Sequence, residues 1–151
     1  MSFSASVFKS YDIRGIAPDE IHPDLAYALG CVLSQKYHPK KVVVGRDMRE
    51  SSPDLARALM IGLNEGGAEV TDIGMCSTPV FNFAVGEIED RYDLGVMVTA
   101  SHNPHPYNGF KLSLARCVPI GSGSGMEDIR DAVLAFDHVF DSNKKAQSKQ
   151  D

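Results

Sequence analysis

Tryptophan is absent from the 151 residues, and cysteine occurs only three times, at Cys31, Cys76 and Cys117. No pair has CxxC spacing and the count is odd. Neither a disulfide framework nor a zinc site is expected, and the thiols read as reduced. Positive charge is in short supply: 15 Lys and Arg face 20 Asp and Glu, a net charge of -5. That balance disfavours general nucleic-acid binding, so any basic site must be local. No apolar run approaches the length of a membrane span. The start, MSFSASVFKSYD, lacks the long apolar stretch after a basic patch that marks a secretory leader. These absences predict a cytoplasmic protein with no nucleic-acid and no membrane partner.

What is present suits a globular chain. Hydrophobic residues make up 43% and charged residues 23%, over a length that fits one compact domain with a real core. Leu25, Ala28, Leu29, Val32 and Leu33 recur at helical spacing, which predicts a helix over HPDLAYALGCVLSQKY. KKVVVG then reads as a short buried strand. Ser52 and Pro53 form a helix start, serine as cap and proline at the first turn. Leu55, Leu59 and Leu63 give that helix its buried face, and it ends near Gly66 and Gly67. AEVTDIG is the second strand. Thr78 and Pro79 repeat the cap device, with Val80, Ala84 and Ile88 continuing a helix. LGVMVT is the third strand and NGFKLSL the fourth. Their link is too short for a helical crossover, so this pair is expected to be antiparallel. Ser124 and Glu127 have capping-box spacing before a last helix whose buried face is Met126, Ile129, Val133 and Phe136.

The expected class is α/β: a three-layer α/β/α domain over residues 1–140 with a mixed, mainly parallel sheet. After Phe140 the stretch DSNKKAQSKQD holds one alanine and no other apolar residue, so residues 141–151 are expected to be a disordered polar tail.

Chemistry concentrates in TASHNPHPYNGFK, Thr99 to Lys111, directly after the LGVMV strand. Ligands of open α/β sheets bind outside the carboxyl ends of strands. Two further polar clusters are YDIRG (Tyr11 to Gly15) and GRDMRESS (Gly45 to Ser52). Together these bring Arg14, Arg46, Arg49, His102 and Lys111 into play, which reads as a pocket for anionic groups, phosphates above all. Ser101 is a weak nucleophile without help. His102 is its chain neighbour and a poor candidate for its base, and the elbow motif G-x-S-x-G is absent around it. A serine that carries a phosphoryl group is the alternative to one that attacks a carbonyl.

FKSYDIRG, GRDMRESSP, TASHNP and NGFK together resemble the α-D-phosphohexomutases, the phosphoglucomutases, phosphomannomutases and their relatives, from about Phe8 to Phe136. The resemblance implies that Ser101 is the serine phosphorylated in the active enzyme, its phosphate being one ligand of a Mg²⁺ ion. It implies general acid/base and electrostatic roles for Lys111 and Arg14. His102 and Tyr11 would line the same site, with Asn103 and, as a weaker transfer, Arg46 on the substrate side. The implied reaction moves a phosphate between the 1- and 6-positions of a hexose, through phosphoserine and a bisphosphate. Hexose phosphates are thus the expected partners and a hexose 1,6-bisphosphate the activator.

The pattern also departs from that family. Its members are several-fold longer, with four domains around one cleft. The aspartate-rich metal loop, the sugar-recognition loop and the later phosphate-clamping loop have no counterpart here. The chain is therefore expected to be a first domain alone, poorly active in isolation. An exposed interdomain face is expected to drive self-association or pairing with the missing domains. Two rivals stay open: a module that binds phosphosugars or a partner without catalysis, and a serine hydrolase acting through Ser101. Smaller alternatives also stand. His102 and His105 could be zinc ligands. Arg46 and Asp47 could close a turn as an ion pair. Arg49 reads as solvated or capping, GSGSG (Gly121 to Gly125) as a connector, and YDIRG as a turn with Gly15 at positive φ.

Overall fold

The structure, a computed structural model, describes residues 3–87 and 91–150. Seven strands form one sheet: β1 (Ile13–Ile16), β2 (Lys41–Arg46), β3 (Glu69–Met75), β4 (Leu94–Val98), β5 (Tyr107–Leu114), β6 (Val118–Pro119) and β7 (Ser148–Gln150). Their order is β1-β5-β4-β2-β3-β7, with β6 pairing β5. β5 is antiparallel to β1, β4 and β6, while β2 is parallel to β3 and β4, and β3 to β7. Every strand except β5 therefore runs the same way, and the sheet is mixed and mainly parallel, as expected.

Among the described residues four helices cover it: α1 (Pro23–Tyr37), α2 (Ser52–Glu65), α3 (Thr78–Gly86) and α4 (Met126–Leu134). Alternate residues of each central strand point to opposite faces. Val42, Val44, Val96, Val98, Phe110 and Leu112 pack with α1, α2 and α4. Val43 and Met97 pack with Phe81 and Val85 of α3. All five residues of β4 are buried, which explains an uninterrupted apolar run. The two faces are covered unequally. α3 lies over β2 and β4 and leaves β1 and β5 open on its side.

Close packing of α1 on α2 depends on two glycines. A Cβ on Gly30 would lie 2.3 Å from Leu59 O, and one on Gly62 2.3 Å from Tyr27 O. The backbones touch where the helices cross.

Several local expectations shift. α2 begins at Ser52 with Ser51 at the cap position and no side-chain cap bond. Ser52 Oγ instead donates to Asp47 Oδ1 at 2.6 Å. At α3 the cap is Ser77, which accepts from Val80 N, and Ile88 lies outside the described residues. Glu127 does not close a box with Ser124. Its carboxylate accepts from Gly123 N and from Ser122 Oγ, filling the concave loop made by GSGSG. Gly15 lies in β1 and has no positive φ.

The largest difference concerns residues 141–150. Where composition predicts a disordered tail, Ser148–Gln150 pairs in parallel with Val70 to Asp72 of β3. Lys149 pairs with Glu69, Lys144 with Glu65, and Arg57 donates to the carbonyls of Ser142 and Lys144. Backbone bonding to an open sheet edge needs no apolar side chain, so composition does not report it.

Candidate active site

Three residues past the end of β4, the chain turns at Ser101 with φ 58°, in the left-handed region. Thr99 holds the start of the turn: its Oγ1 accepts from Ser101 N at 2.9 Å. The chain re-enters the sheet as β5, and the antiparallel register sets Lys111 opposite Met97 and Arg14 opposite Gly109. Gly109 and Lys111 are two residues apart, so Arg14 and Lys111 share one face of the sheet. It is the face that α3 leaves open over β1 and β5. Lys111 Nζ comes within 3.4 Å of Ser101 Oγ.

A cleft of about 680 Å³ lies over this half of the sheet, lined by Tyr11, Arg14, Ser101, His102, Asn103 and Lys111 among others. Arg14 is fixed on both sides. It donates to Asn103 Oδ1 at 2.8 Å and forms an ion pair with the buried Asp12. Tyr11 is 85% exposed at the rim, so it is no core residue. Ser101 and His102 also border a second cleft of about 650 Å³, which runs toward the start of α3 past Met48, Met75, Pro79 and Met97. The serine stands between a polar and a more apolar chamber.

The NGFK motif has a separate reason for each residue. Asn108 is fully buried; its Nδ2 donates to Ser51 Oγ and Ser52 Oγ, and its Oδ1 accepts from Gly109 N. It thereby ties β5 to the start of α2. A Cβ on Gly109 would lie 1.9 Å from Ile13 O, so only glycine lets β1 approach. Phe110 fills the core, and Lys111 alternates back into the cleft.

One expected site residue is not brought there. Arg46 ends β2 beside Met75 and Val98 and lines neither cleft. Arg49 is neither solvated nor a helix cap. It donates to Asp47 and to four carbonyls of the 101–107 loop. Asp47 pairs with Arg49 rather than with Arg46. Burial pushes the Asp47 carboxyl up, but hydrogen bonds from Ser52, Arg49 N and Thr99 and the charge of Arg49 outweigh it, leaving the pKa below the ordinary value. The supporting roles of Asp47, Arg49 and Asn108 are what sequence reasoning did not find. The one available signal was the density of polar residues in GRDMRESS directly after a buried strand.

Among the described residues no three His, Cys, Asp or Glu side chains gather as a metal site, so His102 and His105 do not form one. Of the carboxylates that line the two clefts, Asp12 and Asp47 are each committed to an arginine and Glu20 accepts from Ile16 N. Magnesium therefore does not fit the described residues by themselves; only a phosphate on Ser101 would add a ligand. No helix among them is long and apolar enough to cross a membrane.

The family profile described as phosphoglucomutase/phosphomannomutase, alpha/beta/alpha domain I, matches residues 5–137. A protein of Xanthomonas campestris named phosphohexose mutases is 47% identical over 128 residues, which is 85% of this chain and 28% of that protein. A phosphomannomutase of Klebsiella pneumoniae is 42% identical over 123 residues, 82% of this chain and 77% of that one. Among solved structures, a phosphoglucomutase/phosphomannomutase family protein of Burkholderia thailandensis superposes with a TM-score of 0.79 at 32% identity. The match covers 99% of this chain and 33% of that one. The chain thus spans less than a third of the length of the first of these relatives.

Proposed function

The chain belongs to the phosphoglucomutase/phosphomannomutase family as its α/β/α domain I, and from that premise we propose that Ser101 accepts and returns a phosphoryl group in the interconversion of hexose 1- and 6-phosphates. The observation that carries the reading is the 3.4 Å approach of Lys111 Nζ to Ser101 Oγ on the open face that also bears Arg14.

Phosphoryl transfer asks a protein for in-line positioning and for cationic charge near the phosphoryl oxygens. Lys111 and Arg14 supply that charge on one side of the serine. In the first half-reaction the Oγ–P bond of phosphoserine breaks and a hexose hydroxyl oxygen forms the new O–P bond. That hydroxyl gives up a proton and Oγ gains one. Lys111 is the group at hand to relay it. The product is a hexose 1,6-bisphosphate, which returns its other phosphoryl group to Ser101 in the second half with the same bookkeeping reversed. His102, Asn103 and Tyr11 border the same cleft and are the candidate sugar and phosphate contacts. Magnesium would act beside the phosphate on Ser101, with its remaining ligands from outside the described residues.

Exposed Met48 and Met75 line the second cleft, and α3, whose start borders it, carries exposed Val80 and Phe83. They support a pairing role for this face, with further chain of the kind the longer relatives possess as the occupant.

The test is to incubate the chain with glucose 1,6-bisphosphate and magnesium and to follow intact mass with site mapping. One added phosphate on Ser101, lost in Ser101→Ala, supports the reading. A Ser101 left unmodified both in the folded chain and in the chain joined to the later domains of a longer relative rejects it. A labelled Ser101 with a serine-directed fluorophosphonate would instead favour the hydrolase rival.

A further inference from the structure

Arg49 has all of its donors in use. Nη1 donates to Pro104 O and Tyr107 O, each at 2.9 Å, and Nη2 to Asn103 O at 2.7 Å and Ser101 O at 3.2 Å. Nε donates to Asp47 Oδ2 at 3.1 Å. A guanidinium has five N–H groups, and each here has one acceptor. The side chain is 9% exposed and its Asp47 partner 12%. Asp47 is itself anchored, accepting from Arg49 N and Ser52 Oγ. A cation so committed has no donor left for a ligand anion, and it lines neither cleft.

Its effect falls on Ser101. The left-handed conformation of a serine persists only where surroundings impose it. Both peptides flanking Ser101 are pinned: the preceding one by Thr99 Oγ1 on Ser101 N, the following one by Arg49 on Ser101 O. With both fixed, the Cα–Cβ bond of Ser101 has one direction, and Oγ meets Lys111.

We infer that Arg49 is a positioning residue for phosphoryl transfer at Ser101, acting through the carbonyls of the 101–107 loop and not through its charge. The transfer part of this inference rests on the proposed function; the loop part does not. Lysine cannot replace Arg49, because an ammonium lacks the planar fork that spans four carbonyls.

The experiment compares the full chain with Arg49→Lys and Asp47→Asn by two readouts. The first is amide hydrogen exchange by mass spectrometry. The second is the rate of Ser101 phosphorylation against the concentration of glucose 1,6-bisphosphate. In Arg49→Lys, exchange over residues 100–105 is expected to rise roughly tenfold while β4 and the middle of α2 stay protected. The maximal phosphorylation rate is expected to drop by about tenfold or more with half-saturation little changed, since Arg14 and Lys111 remain. Unchanged exchange over 100–105 overturns the inference whatever the activity. A raised half-saturating concentration with an unchanged maximal rate also overturns it, because that is the behaviour of an anion ligand. An unphosphorylated parent bears on the function alone, and exchange still decides the loop role. Should Arg49→Lys fail to fold, Asp47→Asn decides. It turns an amide donor toward Nε, and a smaller rise confined to 100–105 is expected; no rise overturns the inference.

Discussion

Lys111 Nζ reaches Ser101 Oγ at 3.4 Å although the two belong to different structural elements, a loop and a strand. The contact follows from antiparallel return. β5 runs back along β4, so a residue ten positions later in the chain lies beside the turn that β4 feeds. A parallel crossover would have carried the lysine away.

Lys111→Met removes the only side-chain donor described on Ser101 Oγ and leaves the aliphatic stem. Loss of a positioned acid/base group costs about 10²- to 10⁴-fold. The initial rate of Ser101 phosphorylation by glucose 1,6-bisphosphate should fall within that range, with an unchanged far-UV spectrum. A rate close to that of the parent would remove Lys111 from the proton relay.

Asn108→Leu should destabilise the fold by about 1–3 kcal/mol. It leaves Gly109 N and two serine hydroxyls without their buried partner. Urea denaturation with an unchanged slope measures it. Ser51→Ala should cost less, because Asn108 keeps Ser52.

Gly109→Ala forces a methyl group onto Ile13 O, which is backbone and cannot rotate away. Overpacking of this kind costs about 1–3 kcal/mol, and more where backbone is the obstacle. β1 should be pushed outward and Arg14 with it. Faster amide exchange confined to residues 13–16, together with a lower melting temperature, is the expected outcome; a variant as stable as the parent would contradict the close approach.

Asp47 has a folded pKa below its unfolded value. The native state therefore binds fewer protons there than the unfolded chain as pH drops. Its contribution is fully present above the unfolded value of about 3.9 and is lost as pH falls through the lower folded value. The stability gap between the parent and Asp47→Asn should be widest near neutral pH and close toward pH 3. A gap that stays constant from pH 7 to pH 3 would contradict the ionised pair with Arg49.

Much of the architecture was legible because it is periodic. Leu25, Leu29 and Leu33 announced α1, and LGVMV announced a buried strand. Two-residue alternation and helical spacing are written into the chain itself. The likeness of TASHNP and NGFK to a known family pointed to Ser101 and Lys111, and the register then brought the two together. The length of the link between β4 and β5 was enough to predict their antiparallel return.

Three things were decided only in three dimensions. Whether an arginine serves a ligand or the fold depends on what faces it: Arg14 came to the cleft, while Arg49 met carbonyls from a loop some fifty residues later. Residues 141–150 found order through backbone pairing with an open edge strand and through lysines meeting carboxylates, neither of which composition encodes. The burial of Asn108 required two serines brought beside it by α2. Apolar spacing is a local property of the chain, and a single sequence suffices to read it. Hydrogen-bond partnership between distant residues is a property of the packed fold, because only packing sets which donors and acceptors meet away from water.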